Sequence, residues 1–420
     1  PQMARLVTKY PTDPVIRTES GASHYRLIGL EVTAAPEATL AYSLITLGTG
    51  TSTENTLDKL PHHLVLDRMY VHGHPTLDFQ RCISLQSGEA AIIDSWISEC
   101  HGKGKDSQAI AGWNGSGPYL IENNFLEGAG ENVMFGGADP KIPGMLPRDI
   151  TLRRNHFYKD PAWIRADGYK IWTVKNLFEL KIGQRVLVEG NVFENNWADG
   201  QDGFAILLKS ANQSGGAPWS ETSDVVFRYN VVRNVAHGVN LSDDPNGTAV
   251  PASRMTFAHN VLERVGTGDY RGGRLWQLAG VDGLTITHNS HNLTTGGGTH
   301  AFMLLKKEMT GLVITNNIFP QTTYGVFGDG LGAGSAAFTP HPGANFTGNV
   351  VAGVPASRYP RGNAYPAATQ GSAWTVNEDG VPRPRRGSGT GAATFASGSA
   401  GPDFAEVARQ VRGVRARLEE

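Results

Sequence analysis

Short runs of alternating apolar and polar residues recur along this chain, and most of them close on asparagine. The clearest are Tyr119-Leu120-Ile121-Glu122-Asn123-Asn124-Phe125, Ile150-Thr151-Leu152-Arg153-Arg154-Asn155-His156-Phe157 and Val186-Leu187-Val188-Glu189-Gly190-Asn191-Val192-Phe193. The phrase returns at 225–232, 255–262, 284–289 and 312–319, with earlier versions at 64–71 and 91–97. A period of two places successive side chains on opposite faces of a strand, whereas a helical repeat would carry a period of about 3.6. Successive copies start roughly 27 to 39 residues apart, within the range of a solenoid or array.

Between the copies lie shorter strands, at 82–85, 132–135, 176–180, 204–208, 238–241 and 301–305, joined by Gly-, Asn- and Asp-rich turns. Two or three strands per repeat, stacked repeat on repeat, predict an all-β solenoid: a parallel β-helix in which each coil covers its neighbour's apolar face. A propeller blade needs four strands, for which the shorter intervals leave no room. The recurrent asparagines read as structural. Asn tolerates left-handed backbone at a bend, and its amide can bond the backbone or the Asn of the next coil.

The solenoid pattern covers residues 1–354 and is joined in mid-phrase, as though an N-terminal coil or cap preceded it. Residues 355–402, rich in Pro, Gly, Ser and Ala, read as a loop or linker. From 403 to 420, Asp403 can cap a short helix whose Phe404, Val407, Ala408, Val411, Val414 and Leu418 share one face. This helix is expected to shield the open C-terminal end. Insertions at 136–147, 158–173 and 209–223 carry Trp163, Trp172 and Trp219, and long loops of this kind bear function on a rigid scaffold.

Composition narrows the class. Glycine, at 52 of 420 residues, exceeds the usual ~7%, and charged residues, at 18%, fall below the usual ~25%, which argues against a coiled coil or a charged disordered chain. A formal charge of −2 gives no basic face for nucleic acid. No apolar run approaches the ~20 residues of a membrane span. Cys82 and Cys100 lack metal-site or redox spacing, and the sequence leaves their pairing open.

Over residues 20–350 these repeats resemble the right-handed parallel β-helix proteins of the pectin-lyase-like superfamily. The phrases Gly128-Ala129-Gly130-Glu131-Asn132-Val133-Met134-Phe135-Gly136-Gly137-Ala138-Asp139-Pro140 and Asn195-Asn196-Trp197-Ala198-Asp199-Gly200 look like those of a group of bacterial β-helix repeat proteins with no assigned reaction. The resemblance implies a secreted protein, extracellular or periplasmic, whose partner is a polysaccharide. The activities it implies are those of lyases, glycosidases, epimerases, tailspikes and adhesins. Polygalacturonase phrases are matched only by Asp243-Asp244 and His237-Gly238.

Aligning 177–181 with 205–209 puts Phe178, Leu180, Ile206 and Leu208 inside and turns Glu179, Lys181 and Lys209 outward together, with neighbouring coils about 4.8 Å apart. Adjacent ammonium groups repel, which lowers one pKa and frees an amine to take a proton. That suits β-elimination from a uronate-containing glycan, with one lysine as base and the other on the carboxylate. A solvated row of ion pairs is the plainer reading. The carboxylates Glu131, Asp139, Asp199 and Asp202 gather at turns and fit a glycosidase pair, a Ca2+ site or turn capping. Trp113, Asn114, Trp197 and Trp219 stand where an indole or amide could meet a sugar, so with Glu131, Asp139 and Asp202 they form the expected substrate-binding set. His72 and His74 share a strand face but lack a third ligand, so no metal is expected there. The functional expectation is a polysaccharide lyase-like enzyme, against a glycosidase or a noncatalytic surface rod.

Overall fold

The computed structural model describes all residues except 1–2, 11, 39, 269, 293–297, 368–373, 377–381, 385–393, 396–397 and 415–420. Each repeat holds three strands: one ahead of the asparagine corner, a second just after it, and a third that closes the coil. Gly183–Glu189, Val192–Asn196 and Phe204–Leu208 make one such coil. Stacking produces three sheets of 11, 12 and 12 strands, in which each strand pairs with its counterpart one coil away. The pairing is parallel, except that Gly332–Ala333 returns antiparallel to Val326–Gly328 near the C-terminal end. This is a right-handed parallel β-helix, the hand that parallel crossovers favour.

Alternation decides which side chains enter the core. Ile121, Leu152, Val188, Phe227, Phe257 and Ile286 align inward along the first sheet. The rings of Phe157, Phe193, Phe227 and Phe257 stack at 4.3 to 5.5 Å between centroids. Each such ring, taken fully out of water, contributes about 2–3 kcal/mol. Cys82 and Cys100, both buried, form a disulfide between the third strand of one coil and the second strand of the next.

The asparagine column is a hydrogen-bonded ladder through Asn124, Asn155, Asn191, Asn230, Asn260, Asn289, Asn317, Asn349 and Asn363. From Asn155 on, each Oδ1 accepts both the backbone N–H and an Nδ2–H of the preceding ladder Asn, at 2.8–3.1 Å. The left-handed backbone falls one residue earlier than the sequence suggested. Asn123, Arg154, Tyr229, His259, His288 and Asn316 carry φ of +53 to +57° and turn the chain, leaving the ladder Asn free to bond.

The C-terminal helix, Phe404–Val411, is capped by Asp403, whose carboxylate accepts from the N–H groups of Ala405 and Glu406. It does not cover the end of the solenoid, as its amphipathic pattern had suggested. Val407, Ala408, Val411 and Val414 pack on Val192, Val231 and Val261, outward residues of the second sheet, and Arg154 donates to the Arg412 carbonyl. Amphipathicity specifies that a face is buried, not against what, and the apolar stripe that receives it lies on middle coils. Gly190 makes room for this strap, because a Cβ there would sit 3.1 Å from Gln410. At the C-terminal end Phe338 packs on Phe346, and Ala364 pairs beside Val350. Much of the Pro/Gly/Ser-rich stretch lies outside the described residues.

Candidate active site on the third sheet

Two outward columns run along the third sheet. Register places Arg81, Gln108, Glu131 and Asn176 in one, and Ser84, Ala111, Met134, Glu179 and Leu207 in the next. Phe178 and Leu180 pair with Ile206 and Leu208 on the inward side, the register the alternation predicted. Glu179 is 0% exposed, and neither of its carboxylate oxygens accepts a hydrogen bond. Its nearest cation is the Lys181 ammonium, 3.4 Å from Oε1. Gly136 leaves room for the Lys181 side chain, since a Cβ there would meet that of Lys181 at 2.6 Å.

Lys209 leaves the neighbouring strand beside them, its N–H bonded to the Leu180 carbonyl. Burial holds its amine below the ordinary lysine value; Glu179 works against that shift and the Lys181 charge adds to it. Lys175 behaves oppositely. Burial opposes its charge, but Glu131 and Asp106 together raise it above the usual value, and it is ion-paired to Asp106 and 4.0 Å from Glu131. Glu131, 1% exposed, accepts from Gln108 Nε2 at 2.8 Å. Burial and the neighbouring Glu179 push its carboxyl well above the ordinary range. A carboxyl shifted up and an amine shifted down therefore flank one buried carboxyl group, Glu179.

Two of the insertions leave the sheet beside this cluster, at Gly136 next to Lys181 and at Lys209. Asp139 accepts from the N–H groups of Ser214 and Gly216 at 3.1 and 2.8 Å, tying residues 136–147 to residues 209–223, and Trp219 Nε1 donates to the Met145 carbonyl at 3.0 Å. Trp113 lies under the Arg81 guanidinium, 5.0 Å from the ring centroid, with Nε1 bonded to the Gly50 carbonyl. The other expected substrate residues lie elsewhere. Asn114 is buried, bonding the Glu54 carbonyl and the Lys141 N–H, and Trp197 packs in an apolar cluster with Trp163, Trp172 and Val174. Asp202 is 76% exposed at the rim, 4.0 Å from Arg274, and Asp199 accepts from the Val174 N–H.

Among the described residues no group of three or more His, Cys, Asp and Glu is placed to hold a metal ion. His72 bonds Glu31 at 3.2 Å, and His101 stacks on Trp172 at 3.8 Å.

Alternation did not reveal Lys159. Its ammonium is wholly buried and donates to the carbonyls of Gly128, Ala129 and Gly130 at 2.6, 2.8 and 3.2 Å and to Asn132 Oδ1 at 3.2 Å. It thus ties down the turn that leads into Glu131. Burial lowers its amine against the pull of Glu131 and Glu127. The available signal was its place directly after a second-sheet strand, where the chain bends toward the third.

No protein-family model and no curated protein sequence matches this chain. Among solved structures it is similar to a mutant tailspike protein of E. coli bacteriophage HK620 in complex with a pentasaccharide, at TM-score 0.57 and 12% identity over 86% of this chain and 60% of that one. A second mutant of the same tailspike, in complex with a hexasaccharide, gives 0.52 and 11% over 81% and 60%. The PL6 family alginate lyase AlyGC gives 0.43 and 11% over 96% and 54%. The chain thus spans 60% of the length of the tailspike chains it matches, and what it shares with them is the parallel β-helix fold.

Proposed function

We propose that the third-sheet cluster is the active site of a polysaccharide lyase-type enzyme acting on a uronate-containing glycan. The observation that carries this reading is the convergence of Glu179, Lys181 and Lys209, with the Lys209 amine held below its usual value beside a second lysine. In the reaction, the neutral Lys209 amine takes the proton from C5 of the uronate while Lys181 pairs with the sugar carboxylate. The C5 electron pair forms the C4–C5 double bond, the C4–O bond breaks, and the protonated Glu131 carboxyl supplies the proton to the leaving oxygen. Glu179 pairs with Lys181, 3.4 Å away, and so positions that ammonium for the sugar carboxylate.

The buried Cys82–Cys100 disulfide supports a secreted or periplasmic setting, because disulfides persist in oxidising compartments. Oligosaccharides bound to the tailspike neighbours support a glycan as the ligand class. One observation favours a second reading, hydrolysis: Glu131, kept protonated beside Glu179, also resembles the acid of a carboxylate pair.

The test is incubation with a panel of uronate polymers, following ultraviolet absorbance of the unsaturated product and the appearance of new reducing ends. The expected result is a rise in both, lost about a thousandfold in Lys209→Ala. Reducing ends without absorbance select hydrolysis. Neither signal on any glycan removes catalysis and leaves a binding or structural rod.

A further inference from the structure

The outward face of the third sheet continues past the lysine cluster. Beyond Asn176 the same column runs through Phe204, His237, Arg274 and His300, and the adjacent column through Asn240, Gln277, Met303 and Phe327. Tyr324, 47% exposed, stacks on His300 at 5.0 Å, and Phe327 meets the edge of the same imidazole at 5.4 Å. Arg274 donates from Nη1 to Gln277 Oε1 at 2.9 Å, and the Gln277 amide faces Asn240 Oδ1 at 3.5 Å. The carboxylate it faces, Asp202, is 4.0 Å away on an exposed side chain, where such pairing contributes little.

Each component suits a pyranose ring. A guanidinium fork takes a carboxylate through two parallel bonds, exposed aromatic rings cover the apolar face of a sugar, and primary amides match hydroxyls as donors and acceptors. Burial and the Arg274 charge hold His237 and His300 below their ordinary values, so at neutral pH they add stacking surface without added charge. Arg274 lies three coils from Asn176, about 14 Å along the axis.

We infer that this platform is a second glycan subsite, in which Arg274 pairs with the carboxylate of a sugar several residues from the lysine cluster and Tyr324 and Phe327 take its ring face. It rests on the proposal that this face binds a uronate glycan, and it adds that one chain lies along the solenoid axis across both places.

The experiment is calorimetric binding of uronate oligomers of increasing length, and of their carboxyl-reduced counterparts, in a Lys209→Ala background that leaves the ligand uncut. Long oligomers should bind at least about tenfold more tightly than short ones. Arg274→Ala and Tyr324→Ala should each remove most of that increment while leaving short oligomers unchanged, and Arg274→Ala should reduce the preference for the carboxylated ligand. Circular dichroism matching the parent identifies folded variants. Long-oligomer binding unchanged in both variants overturns the subsite and leaves the active-site proposal standing. No binding of any uronate by the parent overturns both.

Discussion

Lys181 and Lys209 lie beside the buried Glu179, and the consequence is a testable dependence on pH. The base works deprotonated and the acid Glu131 protonated, so kcat/KM should follow a bell in pH, with one limb set by Lys209, which burial places below the ordinary lysine value, and the other by Glu131. Lys181→Ala removes a charge that lowers Lys209 and leaves Glu179 free to hold the Lys209 proton. The midpoint of the Lys209 limb of kcat/KM should therefore move up by about one pH unit while the Glu131 limb stays, and KM should rise. A midpoint that stays fixed would exclude Lys209 as the titrating base. The alternation of 177–181 and 205–209 made this trio legible, because a one-residue slip would have turned Phe178 and Ile206 outward. Lys159 was illegible for the converse reason: a lysine beside a turn looks solvated, and only the folded carbonyls of Gly128, Ala129 and Gly130 make burial tolerable.

The ladder and the strap differ in how much the chain announces them. Asn191 Oδ1 accepts two hydrogen bonds from Asn155, and its Nδ2 reaches Asn230 Oδ1 and the Leu152 carbonyl. Asn191→Ala leaves these buried partners unmatched and should cost about 2–4 kcal/mol, read from denaturant unfolding, with a smaller loss for Asn363→Ala at the last rung. The column could be read from sequence because the same residue recurs at the same phrase. The left-handed row beside it could not, since Arg154, Tyr229 and His259 carry no turn signal of their own. The strap was half legible: its capping Asp403 and apolar face were visible, its seat on Val192, Val231 and Val261 was not. Val407→Asp should unseat it at about 2–3 kcal/mol, raising binding of an apolar dye while the far-ultraviolet β signal stays unchanged.

Across the whole molecule, stability is a sum of contacts between neighbouring coils, so a clamp between two coils matters more than its position suggests. Cys82 and Cys100, 18 residues apart, provide one. Replacing both with serine should lower stability by about 3 kcal/mol, measured as a shift in the denaturant midpoint, and reductant should have no effect on the folded wild type because both sulfurs are buried. Sequence carried the solenoid plan because every coil repeats one rule, but not the disulfide, which depends on how two coils are staggered. The strap adds a consequence in time. Val192, Val231 and Val261 leave the ribosome long before Val407 and Val411 exist to cover them. Through that interval the growing chain carries a bare valine stripe, so the speed of translation, or a chaperone, governs how many copies finish folding before they meet one another.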